Sequence, residues 1–325
     1  PNKLRGVTWA GEDHVVLEVS QYAQGMHMIG PAREYFMASD FNIVTGRQRP
    51  LLDDLKDTMN IIVSWPQVRA IDGDPVVYLQ GVHFVENKGV NTLYRANLRT
   101  GVTRMLNHGA RYDADDWLVD TAGEPVAQSM YDDKAGRWSL LLKSGAIWKT
   151  VDQAQAPMGS YGVSGFGRDG KSVLVWRASD DKNVLREYTP SGETHDLPGD
   201  LDLSALLHDP DSLKLIGGYK LDGDKLTYTF FDPAAQTTWD AVVKPFKNDR
   251  VSLRSWSRDR KRVIVLADSP TEGPGYALVD LNTKRGGFLG DAYKGVNASV
   301  ISPVRSITYK AADGLEISGY LTLPK

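Results

Sequence analysis

The feature that most narrows what this chain can fold into is a hairpin that keeps returning. Leu93 to Leu106, LYRANLRTGVTRML, reads as strand, tight turn, strand, with Asn97 opening the turn and Gly101 closing it. Asn bonds its own backbone and Gly accepts positive φ, so the pair specifies a turn between two β runs. The pattern recurs from Phe36 to Leu52 around Asn42 and Gly46, and from Tyr276 to Leu289 around Asp280 and Lys284. Weaker copies lie at Tyr188–Gly192 and Phe231–Ala235. A second turn, rich in Asp and Gly and followed by a β-branched run, precedes these hairpins. Examples are Phe166–Lys171 before Ser172–Trp176, and Trp256–Lys261 before Arg262–Leu266.

Phe166 and Trp256 head equivalent turns about 90 residues apart, with one related unit, Leu207–Asp211, between them. The period is therefore about 45 residues, or four short strands per unit, which is the spacing of propeller blades. A lone four-stranded sheet buries too little apolar surface to offset the ordering of its own backbone, so such units must stack. The sequence thus predicts an all-β fold, a β-propeller of four-stranded antiparallel blades. Six repeat units are expected, at about Leu4–Asp57, Met59–Ala110, Arg111–Pro157, Met158–Asp200, Leu201–Arg250 and Val251–Gly290. In the first, a long glycine- and methionine-rich connection, Gln21 to Arg33, separates strands expected at Val15–Ser20 and Glu34–Asp40.

Composition agrees with one large β domain: 325 residues, 41% hydrophobic, with 31 Gly and 16 Pro for the many turns. A net charge of −3 with both signs interspersed offers no field for nucleic acid or anionic lipid, so neither is expected as a partner. No apolar run approaches the roughly 18 residues of a spanning helix. The absence of Cys rules out disulfides, metal thiolates and a Cys nucleophile. It suits a bacterial periplasm or cytoplasm equally, and leaves the compartment undecided.

The repeat breaks after Gly290. Asp291 to Pro303 reads as a polar linker, and beyond it apolar residues alternate cleanly through Ile307, Tyr309, Leu315, Ile317, Leu321 and Leu323 around an Asp313-Gly314 turn. Residues 1–303 are accordingly expected to form the propeller, and 304–325 a linker with the first hairpin of another domain. Ser306 to Pro324, SITYKAADGLEISGYLTLP, resembles the junction between propeller and α/β-hydrolase domain in serine peptidases of the prolyl oligopeptidase family, with Asp313-Gly314, Gly319-Tyr320 and Leu323-Pro324 carrying the likeness. At the other end Leu4–Gly11, continued by Arg33–Tyr35 through Thr45-Gly46, resembles a blade of the acylaminoacyl-peptidase and dipeptidyl-peptidase-like branch. The resemblance implies a seventh blade upstream and a catalytic serine, acid and histidine downstream, outside this chain. The remainder of the sequence is generic propeller.

Candidate chemistry within the chain is thin, and no catalytic residue, cofactor site or metal site is assigned to it. The nearest approach to G-x-S-x-G, Gly162-Val163-Ser164-Gly165-Phe166, has Phe where the elbow needs Gly. Gly165-x-Gly167-x-x-Gly170 has dinucleotide spacing, but a β run follows it where a helix is required. His14, His27, His83, His108, His195 and His208 lack a paired metal spacing and suit surface or strand-edge roles. Asp113, Asp115 and Asp116, like Asp132 and Asp133, suit turns better than a calcium ladder. Trp9, Trp117, Trp138, Trp148, Trp176, Trp239 and Trp256 fall in expected strands and read as packing between blades; Trp65 precedes Pro66 and is less defined. Asn297-Ala298-Ser299 is a sequon by spelling.

One stretch carries a functional expectation. In an up-and-down blade the connection after the second strand lies at the same end as the exit after the fourth. The Gln21–Arg33 connection and the linker Asp291–Pro303 are thereby expected on one face, the face over which the family places its hydrolase. Met26, His27, Met28, Ile29 and Arg33 are the residues expected to gate a peptide cavity; a surface loop or a homo-oligomer contact is the competing assignment. The expected function is that of a non-catalytic propeller fragment, partnered with its own C-terminal hydrolase domain and admitting short peptides. The alternative is a stand-alone propeller serving as a protein-interaction or ligand-binding scaffold.

Overall fold

The computed structural model describes residues 2–24, 31–108, 114–157, 159–179, 182–197, 203–247 and 249–324. The chain divides into two compact units, residues 1–201 with 208–215, and residues 202–207 with 216–325. The fold is all-β, built of successive antiparallel sheets of the propeller-blade type, with a single helix among the described residues.

In the first unit the first repeat is Lys3–Ala10, His14–Ala23, Arg33–Asn42 and Gln48–Pro50, and the second is Gln67–Ile71, Asp74–Val85, Lys88–Asn97 and Thr103–His108. These two are not separate sheets. Thr58–Ile62 pairs with the first repeat at Phe36 and with the second at Gly81 and His83, joining both into one nine-stranded sheet. The third repeat, Ala114–Val119, Pro125–Asp132, Arg137–Ser144 and Ile147–Gln155, and the fourth, Val163–Phe166, Val173–Ser179, Lys182–Tyr188 and Thr194–Asp196, are regular four-stranded sheets. Trp138, Leu140, Phe166, Val175 and Tyr188 are buried together where the third and fourth sheets pack.

The second unit holds the fifth and sixth repeats. The fifth has three strands, Ala205–His208, Leu215–Asp222 and Lys225–Phe230, the sixth has four, Arg250–Trp256, Arg262–Ser269, Gly273–Asp280 and Arg285–Asp291, and a two-stranded hairpin follows, Val304–Lys310 with Glu316–Thr322. Where Phe231–Ala235 suggested another turn, the chain instead enters the helix Pro233–Val243. Asp232 is its N-cap, its carboxylate accepting from the Ala234 N–H, and Pro233 occupies the first helical turn. Asp-Pro serves a turn or a helix start equally well, because Pro fixes φ near −65° in both and gives up an N–H that neither bonds. No Gly follows to reverse the chain, and Trp239, expected in a strand, is buried on the helix.

The other turns form as the side-chain chemistry dictates. The Asn42 carboxamide accepts from Val44 and Thr45 N–H at 3.1 and 2.8 Å, Asn97 from Thr100 at 3.0 Å, and Asp280 from Asn282 and Thr283 at 2.9 and 3.2 Å. Gly46 and Gly101 take φ of 70° and 80° at the ends of the first two. Asp169 caps Lys171 and Ser172 in the second type of turn, and the strand Val173–Ser179 follows it where a dinucleotide site needs a helix.

Candidate functional site

The expected gate is shorter than the sequence suggested. Pairing of His14–Ala23 with Arg33–Asn42 continues through Gln21↔Tyr35 and Tyr22↔Glu34 to Ala23↔Arg33, so the connection begins at Gln24 and ends at Ala32. Interstrand hydrogen bonds hold these extra residues even though most of their side chains are exposed, which hydrophobic alternation cannot register. Arg33 sits exposed at the base of this hairpin. Met26, His27, Met28 and Ile29 lie outside the described residues, as does Asp113. At the same end Arg5 and Ser20 both donate to the Glu34 carboxylate, and that hydrogen bonding holds its pKa below the usual range. The hairpin is therefore fixed at its root by an ion pair.

The described residues bring together no nucleophile, base and acid. The ring of His14, buried rather than at the surface, bonds Asp40 at 2.7 Å and Asn42 at 3.3 Å. His195 bonds Glu187 at 2.8 Å, and His208 bonds the Phe166 carbonyl at 2.9 Å. Burial pushes the His208 pKa down, the carbonyl hydrogen bond opposing it in part. All three rings tie strands together, whereas a general base must face a reacting hydroxyl. Ser164, at the centre of the imperfect elbow, lies in the strand Val163–Phe166. Among the described residues no group of three or more His, Asp or Glu is placed to hold a metal ion. Asp132 caps its turn through Lys134 and Ala135 N–H, and Asp116 accepts from Gln80 and Val163. Trp117 and Trp138 are buried between sheets as expected, but Trp9 is 54% exposed.

Sequence reasoning missed a cleft of about 1040 Å³ in the second unit. Its floor is the helix face of Trp239 and Val243 with Tyr228 and Val251, and its far wall is Ile301, Val304, Ser306 and Tyr320 of the segment that ends in the hairpin. The floor is rigid. Trp239 packs on Tyr228 with ring centroids 4.6 Å apart and on Phe230 at 6.2 Å, and Gln236 ties the helix back to the Phe230 N–H at 2.8 Å. Burial pushes the Tyr228 hydroxyl pKa up, and the hydroxyl accepts from the Leu253 N–H at 3.1 Å. Lys225, Lys244, Lys247 and Arg250 on the rim are matched by Asp224, Asp240, Asp249 and Asp268, with Arg250 paired to Asp268 at 2.5 Å. The cleft supplies shape and mixed charge. Only the tertiary placement of helix against hairpin creates it, and no local motif announces that placement.

No family model matches the chain, and no curated protein does. Solved structures do. The acylaminoacyl peptidase of Pyrococcus horikoshii is 12% identical over the whole of this chain and 58% of its own, with a TM-score of 0.43. A puromycin-hydrolyzing peptidase of Mycobacterium tuberculosis is 13% identical over 98% of this chain and 58% of its own, at 0.46. The β-propeller domain of the Trilobed protease from Pyrococcus furiosus is 10% identical over 91% of this chain and 97% of its own, at 0.40. The chain spans less than two thirds of the two whole peptidases. Over that part of their length the chain is similar in fold to those two peptidases.

Proposed function

We propose that this chain is the access-restricting propeller of a serine peptidase of the prolyl oligopeptidase family, whose nucleophile, acid and base lie on polypeptide following Thr322. The observation that carries this reading is the terminal hairpin. Among the described residues Val304–Lys310 pairs only with Glu316–Thr322, in a sheet of its own. Alternation puts Ile307, Tyr309, Ile317 and Leu321 on one face, where Tyr309 is 52% exposed and the other three are half-buried. An apolar row presented in this way suits an element that packs on further structure. Its Asp313-Gly314 turn and Leu323-Pro324 ending supply the sequence likeness to a hydrolase opening. The histidine and serine placements described above, which serve the strands, fit a chain that lends shape to a reaction carried out elsewhere.

In this reading the Gln24–Ala32 connection walls the route to the active centre. Met26, His27, Met28, Ile29 and Arg33 set its width, so short peptides pass and folded chains are excluded. Deleting Gln24 to Gly30 in the polypeptide that includes the following domain tests this. The expected result is a gain in kcat/KM on long peptides relative to short ones. Unchanged kinetics on both would remove the gating role, and a native reading frame without a G-x-S-x-G segment after the hairpin would remove the peptidase itself.

A further inference from the structure

Propeller sheets end in an outer strand whose far edge has no partner, and in this chain those edges are guarded unequally. Gln48–Pro50 and Thr194–Asp196 are three residues long, the first ending in Pro and the second clamped by Arg186 on Asp196. Thr103–His108 carries Arg104, Ile147–Gln155 carries Lys149 and Asp152, and the fifth repeat has a helix where its outer strand would be. Short length, Pro and interior charge are the usual protections against another chain adding to an edge.

Arg285–Asp291 has none of these. Among the described residues its seven, RGGFLGD, pair only with Gly273–Asp280, and they are charged solely at the two ends. Phe288 is 69% and Leu289 56% exposed, and a Cβ built at Gly287 or Gly290 meets nothing within 4 Å, so the sheet faces at these two glycines are open. Arg285 and Asp291 make no ion pair among the described residues. Laid antiparallel on a copy of itself, the segment brings each Arg285 toward the other's Asp291 and the two Phe288 rings together at the centre. A two-fold axis requires this self-complementarity.

We propose that the outer edge of Arg285–Asp291 is where a second copy of this chain adds, antiparallel and about a two-fold axis, extending the sixth sheet across the dimer. The pairing with Gly273–Asp280 skips Leu289, so an added strand bonds on either side of a bulge instead of along one continuous ladder. A single strand pair also lies at the small end of specific interfaces, so the dimer is weak and its population rises with concentration.

Sedimentation equilibrium of the chain across a wide concentration range tests the proposal, with circular dichroism confirming that each exposed-site variant folds. The expected result is a reversible monomer–dimer equilibrium that Phe288→Lys abolishes. Arg285→Asp and Asp291→Arg singly each place like charges at both ends of the pairing and weaken it by about tenfold. The double variant Arg285→Asp with Asp291→Arg restores it. A chain that stays monomeric throughout, a dimer indifferent to Phe288→Lys, or a double variant no stronger than the singles would each overturn the proposal.

Discussion

Two sheet junctions in this molecule solve the same packing problem with opposite chemistry. Between the third and fourth sheets a buried cation is the centrepiece. The Arg177 guanidinium lies 4.7 Å from the Trp138 ring centre and 5.0 Å from that of Tyr161, and donates to Asp152 and to the Tyr188 hydroxyl. The Tyr188 hydroxyl in turn donates to Asp152, and burial followed by the neighbouring carboxylate pushes its pKa far above the usual value. Between the fifth and sixth sheets the centrepiece is aromatic: Trp239, Tyr228, Phe230 and Trp256, each ring packed on another. A polar junction concentrates the risk in one charge that must stay partnered, whereas an aromatic junction spreads it over area.

The difference makes the two junctions fail differently. Asp152→Ala strands the Arg177 cation and should cost about 3–5 kcal/mol in urea unfolding. Trp239→Ala leaves a cavity of similar cost, about 3–5 kcal/mol. The two are separated by a second substitution. Adding Arg177→Met to Asp152→Ala should recover most of the loss, because the unpaired charge goes with it. Adding Phe230→Leu to Trp239→Ala should recover nothing. Equal behaviour of the two pairs would erase the contrast.

Glu18 sharpens it as the polar case without a partner. Its side chain is buried, its Oε2 has no hydrogen-bond partner, and the carboxyl lies against Gly6, where a Cβ would sit 2.7 Å from Oε2. Burial raises its pKa from 4.5 to about 7. The folded state therefore binds the proton more tightly than the unfolded chain between those values, and stability attributable to Glu18 falls as pH rises from about 4.5 to about 7. The span corresponds to on the order of 3 kcal/mol. Glu18→Gln should flatten this slope, stabilising the protein at pH 8 relative to wild type and leaving pH 4 little changed. A slope that persists in the variant would assign it to other groups.

The smallest expected effect lies at the turn that became a helix. Asp232→Ala removes the N-cap and should cost about 1 kcal/mol. Thr189-Pro190-Ser191-Gly192 in the fourth repeat looks much like Asp232-Pro233-Ala234-Ala235 in the fifth. Gly192, at φ 91°, lets the first reverse the chain into Thr194–Asp196, whereas Ala235 continues helically. Thr189 bonds the backbone of Glu193 across its turn, while Asp232 bonds Ala234 within the helix.

That pair marks how far the sequence could be read. Asn42, Asn97, Asp169 and Asp280 were legible because each turn is decided by one side chain bonding backbone two or three residues on. The fifth repeat was not, because Asp-Pro is ambiguous until the next two residues and the tertiary demand of Trp239 decide. The bridge between the first two repeats escaped for the same kind of reason: Thr58–Ile62 has no alternation of its own, and its contacts at Phe36, Gly81 and His83 are distant in sequence. Of the site, the connection itself was legible, but its ends were not: Gln21 and Arg33, expected in the connection, lie in the paired strands. The cleft beside Trp239 was not, since Val304 and Tyr320 reach it only in three dimensions.

Under the proposed function this chain contributes shape to a reaction whose nucleophile it does not hold. Labelling with a fluorophosphonate probe, followed by mass spectrometry of the modified peptide, tests it most directly. The account predicts no modification of residues 1–325 alone and a single labelled serine beyond the terminal hairpin in the longer polypeptide. A labelled serine anywhere between Leu4 and Thr322 would contradict it.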